Sequence, residues 1–305
     1  MPYRLLIFDS IGTVGAIFQN ISFTITVPLY LFIHLLTSPV AQSFPGTHAN
    51  SVLLIDTWDL RILPLSVTLS YVIPSLLMIL PAPMVSFSTH QKLIAFWQPF
   101  PIWTVCIHWA LRKISQFVAG NLSTADLNKK KPTPLGASYL GSAKHVYRFI
   151  LAMCLATHLP ALLISLIPST FIPERFGELA EFAKGSFSNS FIPYFPLSNQ
   201  KVPDLAAGSL TFLQWDFYIG STALLLWAVL LYRNATTEKA IVDPNTSLPI
   251  YRELLSGSKD RGGMLWRKLI LKIGLWSLVS GPMGALTVLL WDRDTIVRQK
   301  IKQGL

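Results

Sequence analysis

The sequence predicts an all-α integral membrane protein, a polytopic bundle of about six or seven transmembrane helices. Of its 305 residues, 51% are hydrophobic and only 13% are charged, and the mean hydropathy is +0.48. Soluble globular proteins carry about 25% charged residues. The apolar residues also fall into long runs, and a run of about 20 such residues is long enough to cross a bilayer as a helix.

Six such runs divide the chain, and we treat residues 1–305 as a single transmembrane domain. The predicted spans cover residues 11–36, 63–80, 93–111, 147–167, 206–232 and 269–291. Two basic loops, 112–146 and 233–268, and one acidic connector, 168–205, separate the later spans. The connector is rich in phenylalanine and tyrosine, which predicts that it lies on the membrane or folds back as a lid.

Two of the spans contain signals for a broken helix. Pro99 and Pro101 lie two residues apart in the third span, and Gly281 and Pro282 interrupt the sixth. Proline removes a backbone donor from the helix, and broken backbone at membrane depth is tolerated only against protein or a water-filled cavity. We therefore expect a kinked or broken segment at both places.

The charge pattern predicts the orientation of the chain in the membrane. The net charge is +10, but the basic residues lie mostly between the apolar runs, which indicates cytoplasmic loops and argues against a nucleic-acid partner. The acidic connector is then lumenal, and six spans put both termini in the lumen. The basic C-terminal residues Arg298, Lys300 and Lys302 conflict with this assignment. The N-glycosylation sequences at Asn121, Asn234 and Asn245 conflict with it as well, because they lie in loops assigned to the cytoplasm. They would make the chain a glycoprotein only if these loops were lumenal.

Asp216 is the acid that is well placed inside a predicted span, next to Trp215 and Tyr218. An aspartate at the centre of a membrane helix costs roughly 2.5–3.5 kcal/mol to insert, and such groups usually face inward and are functional. This favours Asp216 as a catalytic acid. The alternative is a structural aspartate that hydrogen-bonds a neighbouring helix.

The third span is the second candidate wall of a site because aromatic residues and prolines are concentrated there. We expect an aromatic substrate pocket lined by Trp97, Trp103, Trp215 and Tyr218. Gln98 is positioned to orient a substrate oxygen. Asp56 is the fallback acid, whereas Asp59, three residues later, is interpreted as an interfacial anchor with a local ion pair.

These residue types favour acid-initiated cation chemistry. A desolvated carboxyl can keep its proton and donate it, and aromatic faces stabilise carbocations. Protonation-initiated terpene cyclisation needs both. We predict no metal and no cofactor, because the sequence contains no phosphate-binding loop, nucleophile elbow or metal-binding histidine pair. It also lacks an aspartate-rich motif for prenyl diphosphate.

Four stretches carry a resemblance to a known family: YVIPSLLMILPAP (71–83), HQKLIAFWQPFPIW (90–103), QWDFYIGS (214–221) and GPMGALTVLLWDRD (281–294). They resemble fungal integral-membrane proteins of secondary-metabolite clusters. That family includes the A-type protein of indole-diterpene (paxilline-like) clusters and the membrane terpene cyclases of ascochlorin and ascofuranone pathways. The resemblance spans most of the chain from Gln19 onward, and some members begin with additional hydrophobic sequence before the position of Ile11.

The resemblance implies an enzyme that acts on an epoxidised farnesyl or longer prenyl chain attached to an aromatic or indole group. We therefore predict a membrane-bound terpene cyclase of meroterpenoid or indole-diterpene biosynthesis, in the endoplasmic reticulum of a filamentous fungus. Its partners would be the lipophilic prenylated substrate, membrane lipid and other membrane enzymes of the pathway. Two alternatives are a non-catalytic membrane scaffold for pathway enzymes and an efflux carrier for the finished metabolite.

Overall fold

A computed structural model describes most of the chain. The described residues are 14–38, 41, 57–80, 84–120, 135–167, 171, 186–195, 202–236 and 262–303. Every regular element within these ranges is helical, so the prediction of an all-α protein is confirmed for them. Asp56, the fallback acid, lies outside the described residues.

The structure describes nine helices within these ranges. In order they are α1 (residues 14–20), α2 (Phe23–Thr37), α3 (Thr57–Ile79), α4 (Phe87–Trp97), α5 (Phe100–Gly120), α6 (Leu135–Leu166), α7 (Ser186–Phe191), α8 (Leu205–Thr236) and α9 (Gly262–Gln303). Within the described ranges, four are long and apolar enough to cross a membrane, namely α3, α6, α8 and α9. The membrane class of the fold is thereby supported, while the number of six or seven spans stays a prediction.

The bundle exposes many large apolar side chains and buries several small polar ones. Leu271, Leu275 and Leu278 of α9 each expose at least 60% of their surface. Serines are among the most deeply buried side chains, at most 2% exposed: Ser66, Ser70, Ser221 and Ser280. Small residues let membrane helices approach closely, and lipid takes the place of water around the large apolar ones.

The helices extend further than the predicted spans. Helix α5 continues to Gly120 and α6 begins at Leu135, so both ends of the predicted basic loop 112–146 are helical. The ends of the loop 233–268 are helical as well. An apolar run marks only the part of a helix that hydrocarbon surrounds, and a helix can continue into the polar interface beyond it.

The predicted break in the third span is confirmed. Helix α4 ends at Trp97, and α5 begins at Phe100 after a turn at Gln98 and Pro99. Two prolines within three residues leave this stretch without the N–H groups that a continuous helix needs.

The break at Gly281 is a reversal of the chain. Gly281 has φ 71° and ψ 172°, outside the helical region. Lys272 donates a hydrogen bond to the Asp292 carboxylate, 20 residues further along. In a continuous helix these residues would be about 30 Å apart, at 1.5 Å per residue. The two arms of α9, residues 262–280 and 282–303, therefore lie side by side, and residues 269–291 do not form one straight crossing.

Side-chain contacts give the relative directions of the other long helices. Helix α6 runs antiparallel to the second arm of α9, because Arg298 bonds the Ala137 carbonyl oxygen (3.1 Å) while Tyr147 bonds Asp294 (2.6 Å). Helices α2 and α8 are parallel: Thr24 lies beside Asp216 at one end, and Trp227 donates to His34 (3.3 Å) further along.

These directions give the bundle two chemically different ends. At the basic end, α6 begins, α8 ends and both arms of α9 meet the predicted basic loops. At the opposite end, which we call the site end, α8 begins next to the acidic connector and α9 reverses at Gly281. The reversal brings the C-terminal end of α9 back to the basic end, which removes the conflict between the basic C-terminal residues and the positive-inside rule.

Close packing of α2 on α8 depends on Gly220. The Phe23 ring lies so near the Gly220 backbone that a β-carbon at this position would be inside van der Waals distance of it. Gly274, in the first arm of α9, has nothing within 4 Å of the corresponding position. The two glycines thus form a matched pair, one at a crowded helix contact and one facing open space.

We expect Gly220→Ala to destabilise the detergent-solubilised protein, since overpacking costs about 1–3 kcal/mol. Gly274→Ala is the control, and it should leave the melting temperature unchanged or raise it because alanine favours a helix by about 1 kcal/mol. Thermal unfolding of both variants beside the wild type measures the difference. Equal melting temperatures for the two variants would contradict the described contact between α2 and α8.

We also expect the C-terminus and the basic loops to lie on the cytoplasmic side. An epitope appended to Leu305 should be digested by protease added to intact microsomes, because the second arm of α9 returns to the basic end. The same epitope inserted after Asn199 in the connector should be protected until detergent is added. A protected C-terminal epitope would show that the last arm does not return.

Candidate functional site

The Asp216 carboxylate caps the start of α2. The chain breaks between α1 and α2 at Ser22, which leaves the first N–H groups of α2 without partners in their own helix. The Oδ1 atom of Asp216 accepts hydrogen bonds from the Ser22 hydroxyl (2.5 Å) and the Thr24 N–H (2.9 Å). Its Oδ2 atom accepts one longer bond, from the Phe23 N–H (3.3 Å). Asp216 therefore makes the hydrogen bonds to a neighbouring helix that the structural alternative expects, and its role as an acid stays a prediction.

The two carboxylate oxygens differ in a way that matters for chemistry. The Oδ1 atom has two short donors, one of them a hydroxyl. The Oδ2 atom has one donor at a distance beyond the usual 2.7–3.2 Å range for N–H···O bonds. A proton on Oδ2 would therefore disturb the cap less than a proton on Oδ1.

A row of aromatic rings leads from the Asp216 cap to the third predicted span. Phe23 packs edge-on against Phe18 (ring centroids 6.0 Å apart), and Phe18 lies 6.2 Å from Phe100. Phe100 contacts Tyr71 (4.7 Å) and Trp97 (5.6 Å). We call Phe23, Phe18, Phe100, Tyr71 and Trp97 the aromatic row. Asp216 and Trp97, two separately predicted site residues, thus lie at the two ends of one set of rings.

The other predicted residues of the third span lie around its break. Trp97 donates through Nε1 to the Ser75 hydroxyl (2.9 Å), which fixes its ring beside α3. Gln98 occupies the turn between α4 and α5. Trp103 stacks on Phe96 (5.4 Å) and donates to the Phe96 carbonyl oxygen (2.8 Å). Trp103 is thus held at the break in the chain by Phe96, which is outside the aromatic row.

Trp215 and Tyr218 hold the described part of the connector, residues 186–195, against α8. Trp215 Nε1 donates to the Tyr194 carbonyl oxygen (2.8 Å), and the Tyr218 hydroxyl donates to the Phe191 carbonyl oxygen (2.7 Å). Gln214 adds a third bond, to the Ser190 carbonyl oxygen (2.9 Å). This part of the connector folds back onto the bundle at the site end. It packs on the side of α8 opposite to Asp216, because successive residues of a helix are rotated by about 100°.

Sequence reasoning missed the residues that complete this arrangement. Phe18, Phe23 and Tyr71 were unremarkable apolar residues in their spans, and no local pattern marked them. Ser22 carried a usable signal, because serine is a preferred residue immediately before a helix start.

Asp59 forms a second polar cluster, and the prediction of a local ion pair for it is wrong. Its carboxylate is 4% exposed and pairs with Arg112 of α5 (3.1 Å). His108, also buried, lies 3.6 Å from Asp59 and 3.0 Å from the Ser66 hydroxyl. The neighbouring Arg61 lies over the Trp58 ring instead. The partner of Asp59 is 53 residues away, so the sequence around it could not identify the pair.

A third buried polar group lies near the basic end. Arg293 and Asp294 form an ion pair (2.8 Å), and Tyr147 donates to the same carboxylate (2.6 Å). A buried pair of this kind is costly to break. Among the described residues, no three His, Cys, Asp or Glu side chains converge as metal ligands would.

Comparison with known proteins agrees with the resemblance found in the sequence. Residues 6–298 match the CtvD domain family. The chain is 26% identical to the terpene cyclase ascI of Acremonium egyptiacum over 299 residues, 97% of this chain and 65% of that protein. It is 27% identical to the terpene cyclase ctvD of Aspergillus terreus over 303 residues, 96% of this chain and 70% of that protein.

A third match covers less of the chain. The chain is 27% identical to the terpene cyclase atmA of Aspergillus flavus over 236 residues, 76% of this chain and 53% of that protein. The chain thus spans between about half and about 70% of the length of these three relatives. No solved structure matches it.

We expect the double variant Trp215→Phe, Tyr218→Phe to loosen the connector from α8, because each substitution keeps the ring and removes the hydrogen-bond donor. Limited proteolysis of the solubilised protein should cleave within residues 186–195 several times faster than in the wild type. Trp103→Phe removes a matched indole donor elsewhere and should leave that cleavage rate unchanged. Equal rates for all three proteins would contradict the role of these two donors.

Proposed function

The chain belongs to the CtvD domain family, and from this we propose that it is a membrane-bound terpene cyclase of fungal secondary metabolism. The observation that carries the proposal is the Asp216 carboxylate, set inside a long apolar helix at one end of the aromatic row. The three relatives described above are each named terpene cyclases. An acid beside aromatic rings in an apolar site is the pairing that cation-forming cyclisation requires.

In the proposed reaction, Asp216 donates a proton from Oδ2 to the oxygen of an epoxide on the prenyl chain. The C–O bond breaks as the nearest double bond attacks, which moves positive charge along the chain as each ring closes. The Ser22 hydroxyl and the Thr24 N–H stay on Oδ1 and keep the carboxyl oriented while its other oxygen loses the proton. Asp56 is the fallback acid.

The rings near Asp216 would stabilise the carbocations. The aromatic row would supply five rings, and Trp215 and Tyr218 would supply two more from the other side of α8. Each ring attracts a cation through its quadrupole, by about 0.5–2 kcal/mol. Gln98 would orient the epoxide oxygen, and Trp103 would line the pocket behind the break in the third span.

The proposed substrate is an epoxidised farnesyl or longer prenyl chain attached to an aromatic or indole group, as in meroterpenoids and indole-diterpenes. Such a molecule partitions into lipid, which explains why its cyclase would reside in a membrane. We assign the protein to the endoplasmic reticulum, where other membrane enzymes of the pathway could pass the substrate to it. One proton enters and one leaves during cyclisation, so the reaction needs no cofactor.

The test is expression in yeast microsomes that receive an epoxidised farnesyl-aromatic substrate, with the wild type beside Asp216→Asn. Asparagine retains an oxygen that can accept from Ser22 and Thr24 but has no acidic proton. We expect cyclised product from the wild type and a loss of about 10²–10⁴-fold in the variant, the usual contribution of a general acid.

Ser22→Ala serves as the control for a purely structural role of the cap. It removes one hydrogen bond to Asp216 and leaves the acid in place, so it should lower product formation far less than Asp216→Asn. Equal product from the wild type and Asp216→Asn would move the acid elsewhere, with Asp56 next. If no product forms over several prenyl lengths, the scaffold alternative is favoured. If a cell that lacks this protein still makes the product but retains it, the carrier alternative is favoured.

A further inference from the structure

The reversal in α9 leaves the backbone carbonyl group of Leu278 without its helical partner. In an α-helix the carbonyl of residue 278 accepts from the N–H of residue 282, but Pro282 has no N–H. His158 of α6 supplies the missing donor, since its Nε2 atom lies 3.2 Å from the Leu278 carbonyl oxygen. His158, a residue of another helix, thus provides the hydrogen-bond donor that Pro282 lacks.

This hydrogen bond fixes the tautomer of His158. A carbonyl oxygen only accepts, so Nε2 carries the hydrogen and the neutral ring has its lone pair on Nδ1. The Nδ1 atom faces Gly281, where a β-carbon would lie 3.1 Å away, and the φ of +71° there favours glycine. Among the described residues no donor is bonded to Nδ1. The Nδ1 atom therefore lies beside a residue that has no side chain.

Aromatic groups of the connector connect His158 to the proposed acid. The Phe191 ring meets the His158 ring edge-on (5.8 Å, 76°), and Phe187 stacks on Phe191 (5.1 Å). The carbonyl of Phe191 accepts from Tyr218, two residues after Asp216 on α8. His158 and Asp216 therefore lie at the same end of the bundle, and Phe191 contacts both the His158 ring and the Tyr218 hydroxyl.

We propose that His158 is the catalytic base that ends the cyclisation, an inference that rests on the proposed cyclase function. After the last ring closes, a C–H bond next to the carbocation breaks, and its electron pair becomes a C=C double bond. The proton goes to Nδ1 of His158, and the imidazolium later releases it to water. The proton given by Asp216 at the start is balanced by this loss, so no further reactant is consumed.

The structure favours this base over two other ways to neutralise the cation. Asp216 would need to recover a proton at the position where the reaction began, whereas the charge has moved along the chain. Water would give a hydrated product, and the Phe191 ring packed against the His158 ring disfavours water there. His158 is on a different helix from the acid, which suits a group that meets the cation late in the reaction.

His158→Gln tests the proposal, because the glutamine amide nitrogen can still donate to the Leu278 carbonyl oxygen but the side chain has no basic nitrogen. In the microsomal assay, we expect the alkene product of the wild type to form about 100-fold more slowly, while substrate is still consumed and hydrated or isomeric products replace it. The matched control is His34→Gln. His34 lies towards the basic end and accepts one hydrogen bond, from Trp227 (3.3 Å), so its variant should keep the wild-type product distribution.

The outcomes separate this inference from the cyclase proposal. If the wild type cyclises and His158→Gln gives the same products at the same rate, His158 is not the base and Asp216 or another group takes the proton. If the wild type makes no product, both proposals fail. Should His158→Gln not fold, His158→Ala with added imidazole replaces it: recovery of the alkene product with imidazole supports the base, and no recovery in folded protein overturns it.

Discussion

The structure depends on one constraint, that a backbone polar group at membrane depth must find its hydrogen bond inside the protein. The chain breaks its helices repeatedly at the site end, and at each break described a side chain bonds a backbone group that the break leaves free. Two of these side chains come from distant segments, and the third comes from seven residues further along the chain. Asp216 bonds the N–H groups at the start of α2. His158 bonds the carbonyl of Leu278 that Pro282 leaves free. Trp103 bonds the carbonyl of Phe96 where α4 gives way to α5.

This constraint explains why the residues proposed for function also hold the fold together. Asp216, Trp215 and Tyr218 each make hydrogen bonds to backbone groups of another segment. Their removal would leave unsatisfied backbone groups as well as an altered site, which is why substitutions that keep the bonding atoms are the informative ones. A cap and an acid are compatible in Asp216 because its two oxygens have unequal partners.

The reversal at Gly281 arranges the two ends of the bundle. It returns the basic C-terminal segment of the chain to the predicted basic loops. The attraction of anionic lipid for Lys and Arg would stabilise that segment there. The polar clusters of Asp59 and of Arg293 with Asp294 lie buried between helices and hold those contacts together.

The sequence by itself determined the membrane class, the all-α fold, the family, the break after Trp97 and the break at Gly281. These features follow from composition and from proline and glycine, which act on the backbone locally. The sequence also identified Asp216, because a charge inside an apolar run is visible without a structure. Only the tertiary structure decided that Asp216 caps the start of α2. The Ser22 hydroxyl that bonds Asp216 there is 194 residues away in the chain. Likewise, only contacts such as Lys272 with Asp292 decided that the break at Gly281 is a reversal. The direction of a broken chain and the partner of a buried group are set by packing between distant segments, which no local pattern encodes.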